Sequence, residues 1–166
     1  MLETFVSDNN LVIKFNGSGY DYSDHIRINV AGPAVNKLAL STAGSIYCTN
    51  ALAAPSLTLI VKGAGNLSLQ AVETAHLEVL NEGSGTVSAT AGSATTAQVR
   101  SKGSGKIELG AVAASTVTAK TSGSGSIRVR PAEQLNATVE GSGSIYFTGN
   151  PYVSSHISGT GHLIHY

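Results

Sequence analysis

The chain has 166 residues, 42% of them hydrophobic and only 12% charged, with ten basic and ten acidic side chains in balance. One domain's length of chain without charge excess excludes the electrostatic footprint of a nucleic-acid binder, and its hydrophobic content excludes disorder. Nineteen glycines and one cysteine, Cys48, leave no disulfide framework or cysteine zinc site and point to tight, regular turns.

In chain order, residues 1–10 lack a basic n-region and an apolar h-region, so no signal peptide is expected there. No run approaches the ~20 apolar residues that cross a bilayer as a helix. Leu11, Ile13 and Phe15 alternate with polar residues ahead of Gly17-Ser18-Gly19, which predicts a strand and a corner. Residues 21–36 interrupt the pattern with their own alternating run, Ile26, Ile28 and Val30, read as a capping or side-packed strand. A degenerate triplet, Thr42-Ala43-Gly44, is followed by Gly63-Ala64-Gly65, Gly83-Ser84-Gly85, Gly103-Ser104-Gly105, Gly123-Ser124-Gly125, Gly141-Ser142-Gly143 and Gly159-Thr160-Gly161. The period of 18–21 residues is the mark of a repeat architecture.

Both flanks of each triplet alternate with period two, the signature of a strand with one buried face. Each unit is thus a strand, a Gly-x-Gly corner, a second strand and a short connector. So short a unit cannot bury a face alone, and stacking like units does so. The interior files predicted by the register are Ile13, Leu38, Leu59, Val79, Val99, Ala119, Ala137, and Ile46, Leu67, Val87, Ile107, Ile127, Ile145, Leu163. A thinner connector file reads Leu52, Val72, Gly92, Val112, Ala132. The fold expected is all-β: a single-domain right-handed parallel β-solenoid, or β-helix. Its rungs have 18–21 residues. Residues 1–41 form an irregular first rung with an insertion or cap, and residues 42–166 the regular rungs. Seven or so rungs at ~4.8 Å give a stack roughly 34 Å long. The glycines are assigned to φ values closed to other residues. On the outside, Lys62, Glu82 and Lys102 alternate in sign, and Glu108 lies next to Arg128.

The run from Leu135 to Tyr166 carries Gly141-Ser142-Gly143-Ser144-Ile145, Gly149-Asn150-Pro151 and Ser158-Gly159-Thr160-Gly161 in order. In this it resembles the head GIN domain of putative bacterial autotransporter adhesins, and the resemblance extends over most of the chain. It implies a right-handed parallel β-helix in an exported or cell-envelope protein with an adhesive or structural role, and it brings no catalytic residues. The chain departs from the pattern at Thr42-Ala43-Gly44 and in having no export signal or lipobox.

Parallel β-helices also serve polysaccharide lyases and hydrolases, so a carbohydrate-active enzyme is the rival reading. Such chemistry needs acids clustered on one face. Here Asp8, Asp21 and Asp24 precede the regular rungs, and Glu73, Glu82, Glu108 and Glu133 fall in separate columns. Gly105-Lys106-Ile107 does not continue as a phosphate-binding loop. His156, His162 and His165 lack the supporting ligands of a metal site, and Cys48 reads as a small interior hydrophobe. No catalytic residue, metal site or cofactor is therefore expected. The binding candidates are Tyr47, Glu108, Arg128 and Tyr146, in the outward column Tyr47, Ser68, Ser88, Glu108, Arg128, Tyr146, Ile164. A protein or glycan surface ligand would suit such a column. Self-association through the β-helix ends or faces is expected as well, because uncapped strand edges invite pairing.

Overall fold

A computed structural model describes residues 2–7, 10–15, 27–32 and 35–166, without the side chain of Phe15. The described residues contain twelve strands and no helix. The chain divides into two compact units, residues 1–31 and residues 32–166. In the first, β1 (Leu2–Ser7) and β2 (Asn10–Phe15) form an antiparallel hairpin that sets Glu3 against Lys14 and Thr4 against Ile13. The Lys14 ammonium lies 3.1 Å from the Glu3 carboxylate. This corrects the interior file that began at Ile13. Alternation shows which residues share a face of a strand but not which strand, in which direction, is the partner. The triplet at 17–19 and residues 21–26 lie outside the described residues. The expected strand through Ile28 and Val30 is not formed: residues 27–32 have no regular secondary structure, and both side chains are exposed. Their alternation finds no strand to bond among the described residues.

The second unit is one ten-stranded sheet wound into a coil of about six turns. That is one fewer than the spacing predicted, because Leu11, Ile13 and Phe15 belong to the hairpin. Its strands are β3 (Lys37–Leu40), β4 (Ser45–Val61), β5 (Asn66–Asn81), β6 (Thr86–Ala89), β7 (Gly92–Ser101), β8 (Lys106–Thr121), β9 (Ser126–Val139), β10 (Ser144–Phe147), β11 (Tyr152–Ile157) and β12 (Leu163–His165). Every pairing in this sheet is parallel. The register steps by whole rungs, so like positions stack: Leu67 on Val87, Val87 on Ile107, Ile107 on Ile127, Ile127 on Ile145. All five are fully buried, as are Leu59, Val79, Val99 and Ala119 in the facing file. At ~1.5–3 kcal/mol for each fully buried aliphatic chain, these files are the main favourable contribution to the fold.

Several of the short connectors stay extended, so β4, β5 and β8 run through them as strands of 16 or 17 residues, whereas residues 90–91 and 148–151 interrupt the strands. The connector file Leu52, Val72, Gly92, Val112 is formed, but Ala132 does not continue it. Ala132 is exposed, and Pro131 instead sits opposite Ala114 on the buried side. The rung that steps from Val117 to Leu135 is two residues shorter than its predecessor, and the shortening falls in this connector.

The corner glycines also have a different cause from the one expected. Positive φ occurs only at Gly92 and Gly149 among the described glycines. The corners instead stack so closely that a Cβ on Gly105 would land on the carbonyl oxygen of Gly85, and one on Gly125 on that of Gly105. Backbone bonds tie them together, as from the Gly105 amide to the Gly83 carbonyl (3.1 Å) and from Gly125 to Gly103 (3.1 Å). Thr42-Ala43-Gly44 is the first corner of this stack: the Gly65 amide donates to the Thr42 carbonyl at 3.0 Å. A Cβ on Gly44 would meet nothing closer than the Thr42 hydroxyl at 3.4 Å. Glycine is needed where a corner lies against the corner before it, and Gly44 has no such neighbour among the described residues, which fits the degenerate triplet.

Beside the corners, one interior file turns polar: Val61 and Val139 bracket Asn81, Ser101 and Thr121, all buried. Asn81 caps its own corner, donating through Nδ2 to the Gly85 carbonyl at 2.8 Å and accepting from the Gly83 amide at 3.1 Å. The hydroxyls of Ser101 and Thr121 have no partner among the described residues.

Candidate functional site

Register places the whole outward column on one face. Tyr47 pairs with Ser68, Ser68 with Ser88, Ser88 with Glu108, Glu108 with Arg128, Arg128 with Tyr146, and Tyr146 with Ile164. Alternation turns these side chains away from the core, and parallel pairing sets each one a single rung from the next. Three of the four candidates converge. Nη1 of Arg128 donates to both Glu108 carboxylate oxygens, at 3.2 and 3.1 Å. The same guanidinium lies over the Tyr146 ring, 5.3 Å from its centroid, within cation–π range. Tyr47 is not part of this cluster. Ser68 and Ser88, whose hydroxyls are 3.2 Å apart, separate it from Glu108, and it stands 70% exposed.

A residue not foreseen from sequence completes the group. The ring of Tyr166 meets Tyr146 edge-on with centroids 6.3 Å apart, and its amide donates to the Phe147 carbonyl at 3.1 Å. Its hydroxyl reaches Gly110, where a Cβ would come within 2.8 Å of it. Glycine inside a strand often marks such an approach, and Gly110 was the available signal. Together Ser88, Glu108, Gly110, Arg128, Tyr146 and Tyr166 line an open groove of about 680 Å³. One Arg128 nitrogen is engaged with Glu108, which leaves further guanidinium donors for a ligand. The groove can bind and orient, with an aromatic wall, a cation and an acceptor held by the sheet beneath them.

Elsewhere the outward ladders pair as the charges predicted. Glu82 lies 3.6 Å from Lys62 and 2.9 Å from Lys102, and the Lys102 hydrogen bond and charge hold its carboxyl below the usual carboxylate range. Cys48 stacks on Leu69 in an interior file and is half-buried, and burial pushes its thiol up. His165 is exposed and stacks on Phe147, ring centroids 4.9 Å apart. Among the described residues, no three of the His, Cys, Asp and Glu side chains come together as a metal-holding group. No helix among them is long and apolar enough to cross a membrane. Asp8, Asp21 and Asp24 lie outside the described residues.

Residues 1–151 match the family described as putative auto-transporter adhesin, head GIN domain. The crystal structure of a putative adhesin from Bacteroides fragilis is similar to this chain with a TM-score of 0.87 at 30% identity, over 99% of this chain and 76% of that one. Two other crystal structures share the fold. A putative adhesin from Parabacteroides merdae has a TM-score of 0.74 at 20% identity, over 99% of this chain and 78% of that one. One from Parabacteroides distasonis has a TM-score of 0.73 at 23% identity, over 78% of this chain and 58% of that one. No curated protein matches the sequence.

Proposed function

The chain belongs to the head GIN domain family of putative auto-transporter adhesins, and from that premise we propose that it is a non-enzymatic binding module of the cell surface or envelope. It offers a protein or glycan ligand the rigid face that carries Glu108, Arg128, Tyr146 and Tyr166. The observation that supports this reading most is the arrangement of Arg128, held on Glu108 and laid over Tyr146, with Tyr166 against the same ring. Aromatic and arginine anchors carry most of the energy at recognition surfaces, and side chains already fixed in place lose little entropy on binding. Self-association belongs to the same proposal: at the C-terminal end every residue of β11 is exposed, and an open parallel edge can accept a further strand.

The test is retention of the full chain on a printed glycan array and on an array of extracellular-matrix proteins. Wild type is expected to bind a defined subset of one array. Arg128→Ala and Tyr146→Ala are expected to lose at least about tenfold while melting within a few degrees of wild type. Wild-type retention on neither array, or undiminished binding by both variants, contradicts the reading.

A further inference from the structure

The strand segments that precede the corners carry a charge pattern that the groove of Tyr146 does not use. Beside the corners its outermost column reads Lys62, Glu82, Lys102, Ser122, Glu140, with successive backbones hydrogen-bonded rung to rung. The first three alternate in sign and pair with one another. The alternation then breaks: where an acid would follow Lys102 stands Ser122, with its small neutral side chain.

In the adjacent column Arg100 pairs directly with Lys120, a stacking of like charges that is unfavourable when nothing lies between them. Lys120 leans away to Glu140, at 2.6 Å. Arg100 has no ion pair among the described residues, and neither has Glu78, the other acid of this face. Lys62, Arg100, Lys102 and Lys120 therefore face only Glu82 and Glu140 as paired acids. A cavity of about 290 Å³ opens at this place, lined by Arg100, Ser101, Lys102, Lys120 and Ser122.

The geometry points to an oxyanion site: a sulfate or carboxylate group on the ligand occupies this cavity beside Ser122. Arg100, Lys102 and Lys120 surround it, and the Ser122 hydroxyl is a further donor. The anion relieves the Arg100–Lys120 repulsion and gives Arg100 the negative partner it lacks among the described residues. The site is distinct from the Tyr146 groove and does not depend on it.

Full-length protein is titrated with sodium sulfate at constant ionic strength and followed by amide chemical shifts, with sodium chloride as reference, because screening alone moves exposed charges. Saturable shifts are expected at Arg100, Lys102, Lys120 and Ser122. Ser122→Glu places the chain's own carboxylate in the gap. It is expected to abolish the saturable response without lowering the melting temperature. Arg100→Gln weakens the response about tenfold, as the loss of one charge-assisted hydrogen bond requires. Retention of dextran sulfate but not dextran, lost in Ser122→Glu, would show that the group is also recognised on a polymer; a response to the free ion without such retention assigns the site to small anions. Shifts that do not saturate, or an Arg100→Gln variant that titrates as wild type, overturn the proposal, as does a folded Ser122→Glu that still binds.

Discussion

The central coils and the last coil have the same rhythm and register, yet they are buried to very different degrees. Leu135 pairs with Val153, Val139 with Ile157, and Ile145 with Leu163. The first member of each pair is fully buried, whereas Val153 is 37% and Ile157 46% exposed. The last corner, Gly159-Thr160-Gly161, stacks as closely as those before it, with the Gly161 amide 3.0 Å from the Gly141 carbonyl. What differs is the number of neighbours: a central strand has a coil on each side and the last strand has one. Burial in this fold is thus a property of the stack. Inward positions of this coil carry polar groups, Ser155 continuing the file of Ala119 and Ala137, and His165 covering Phe147.

Substitutions that act differently in the two regions sharpen this comparison. The largest effect is expected where coil meets coil with no room to give. Gly125→Ala drives a Cβ into the Gly105 carbonyl and should cost about 3 kcal/mol or more by denaturant unfolding, while Gly44→Ala, with no corner of the described residues against it, should cost under about 1 kcal/mol. Next in size, Ile127→Ala leaves a cavity in a file closed on both sides and should cost about 2–5 kcal/mol. Val153→Ala, at an inward position of the open coil, should cost about 1 kcal/mol or less. In the polar file, Asn81→Leu strands the Gly83 amide, while the Gly85 carbonyl keeps the Lys106 amide; it should destabilise by about 2 kcal/mol. Thr121→Val, in contrast, removes a buried hydroxyl that has no partner among the described residues and should be neutral or mildly stabilising. An equal cost for both would show that the two side chains play the same part.

The smallest effect is electrostatic. Because the folded state holds the Glu82 carboxyl below its ordinary value, Glu82 adds stability that is present above the unfolded pKa, about 4.3. That stability is lost as pH falls through the lower folded value. Thermal melts of Glu82→Gln should accordingly differ from wild type at neutral pH and converge with it in acid.

Much of this was legible in the residues, for a physical reason. A strand repeats every two residues and a coil every 18 to 21, so arithmetic alone stacks Ile107 on Ile127 and aligns Glu108, Arg128 and Tyr146. The hairpin was not legible, since Leu11, Ile13 and Phe15 fit a parallel rung as well as an antiparallel pair. The corner glycines were placed correctly but assigned the wrong strain, because crowding by the preceding coil is a tertiary fact and φ a local one. Tyr166 escaped for a similar reason: as the final residue it has no alternation beyond it, and only Gly110, three rungs away, marks where its ring lies. Ser122 carried a readable signal, as the neutral residue at which the alternation of Lys62, Glu82 and Lys102 stops, but its meaning needed Arg100 and Lys120 placed side by side.

The central claim, that each interior coil is secured by a coil on either side, is tested most directly by native-state amide hydrogen exchange resolved to single residues. The amides of β5 through β9 are expected to exchange together at the free energy of global unfolding, and those of β11 and β12 orders of magnitude faster. Uniform protection from Asn66 to His165, or rapid exchange at Ile107, Ile127 and Ile145, would contradict it.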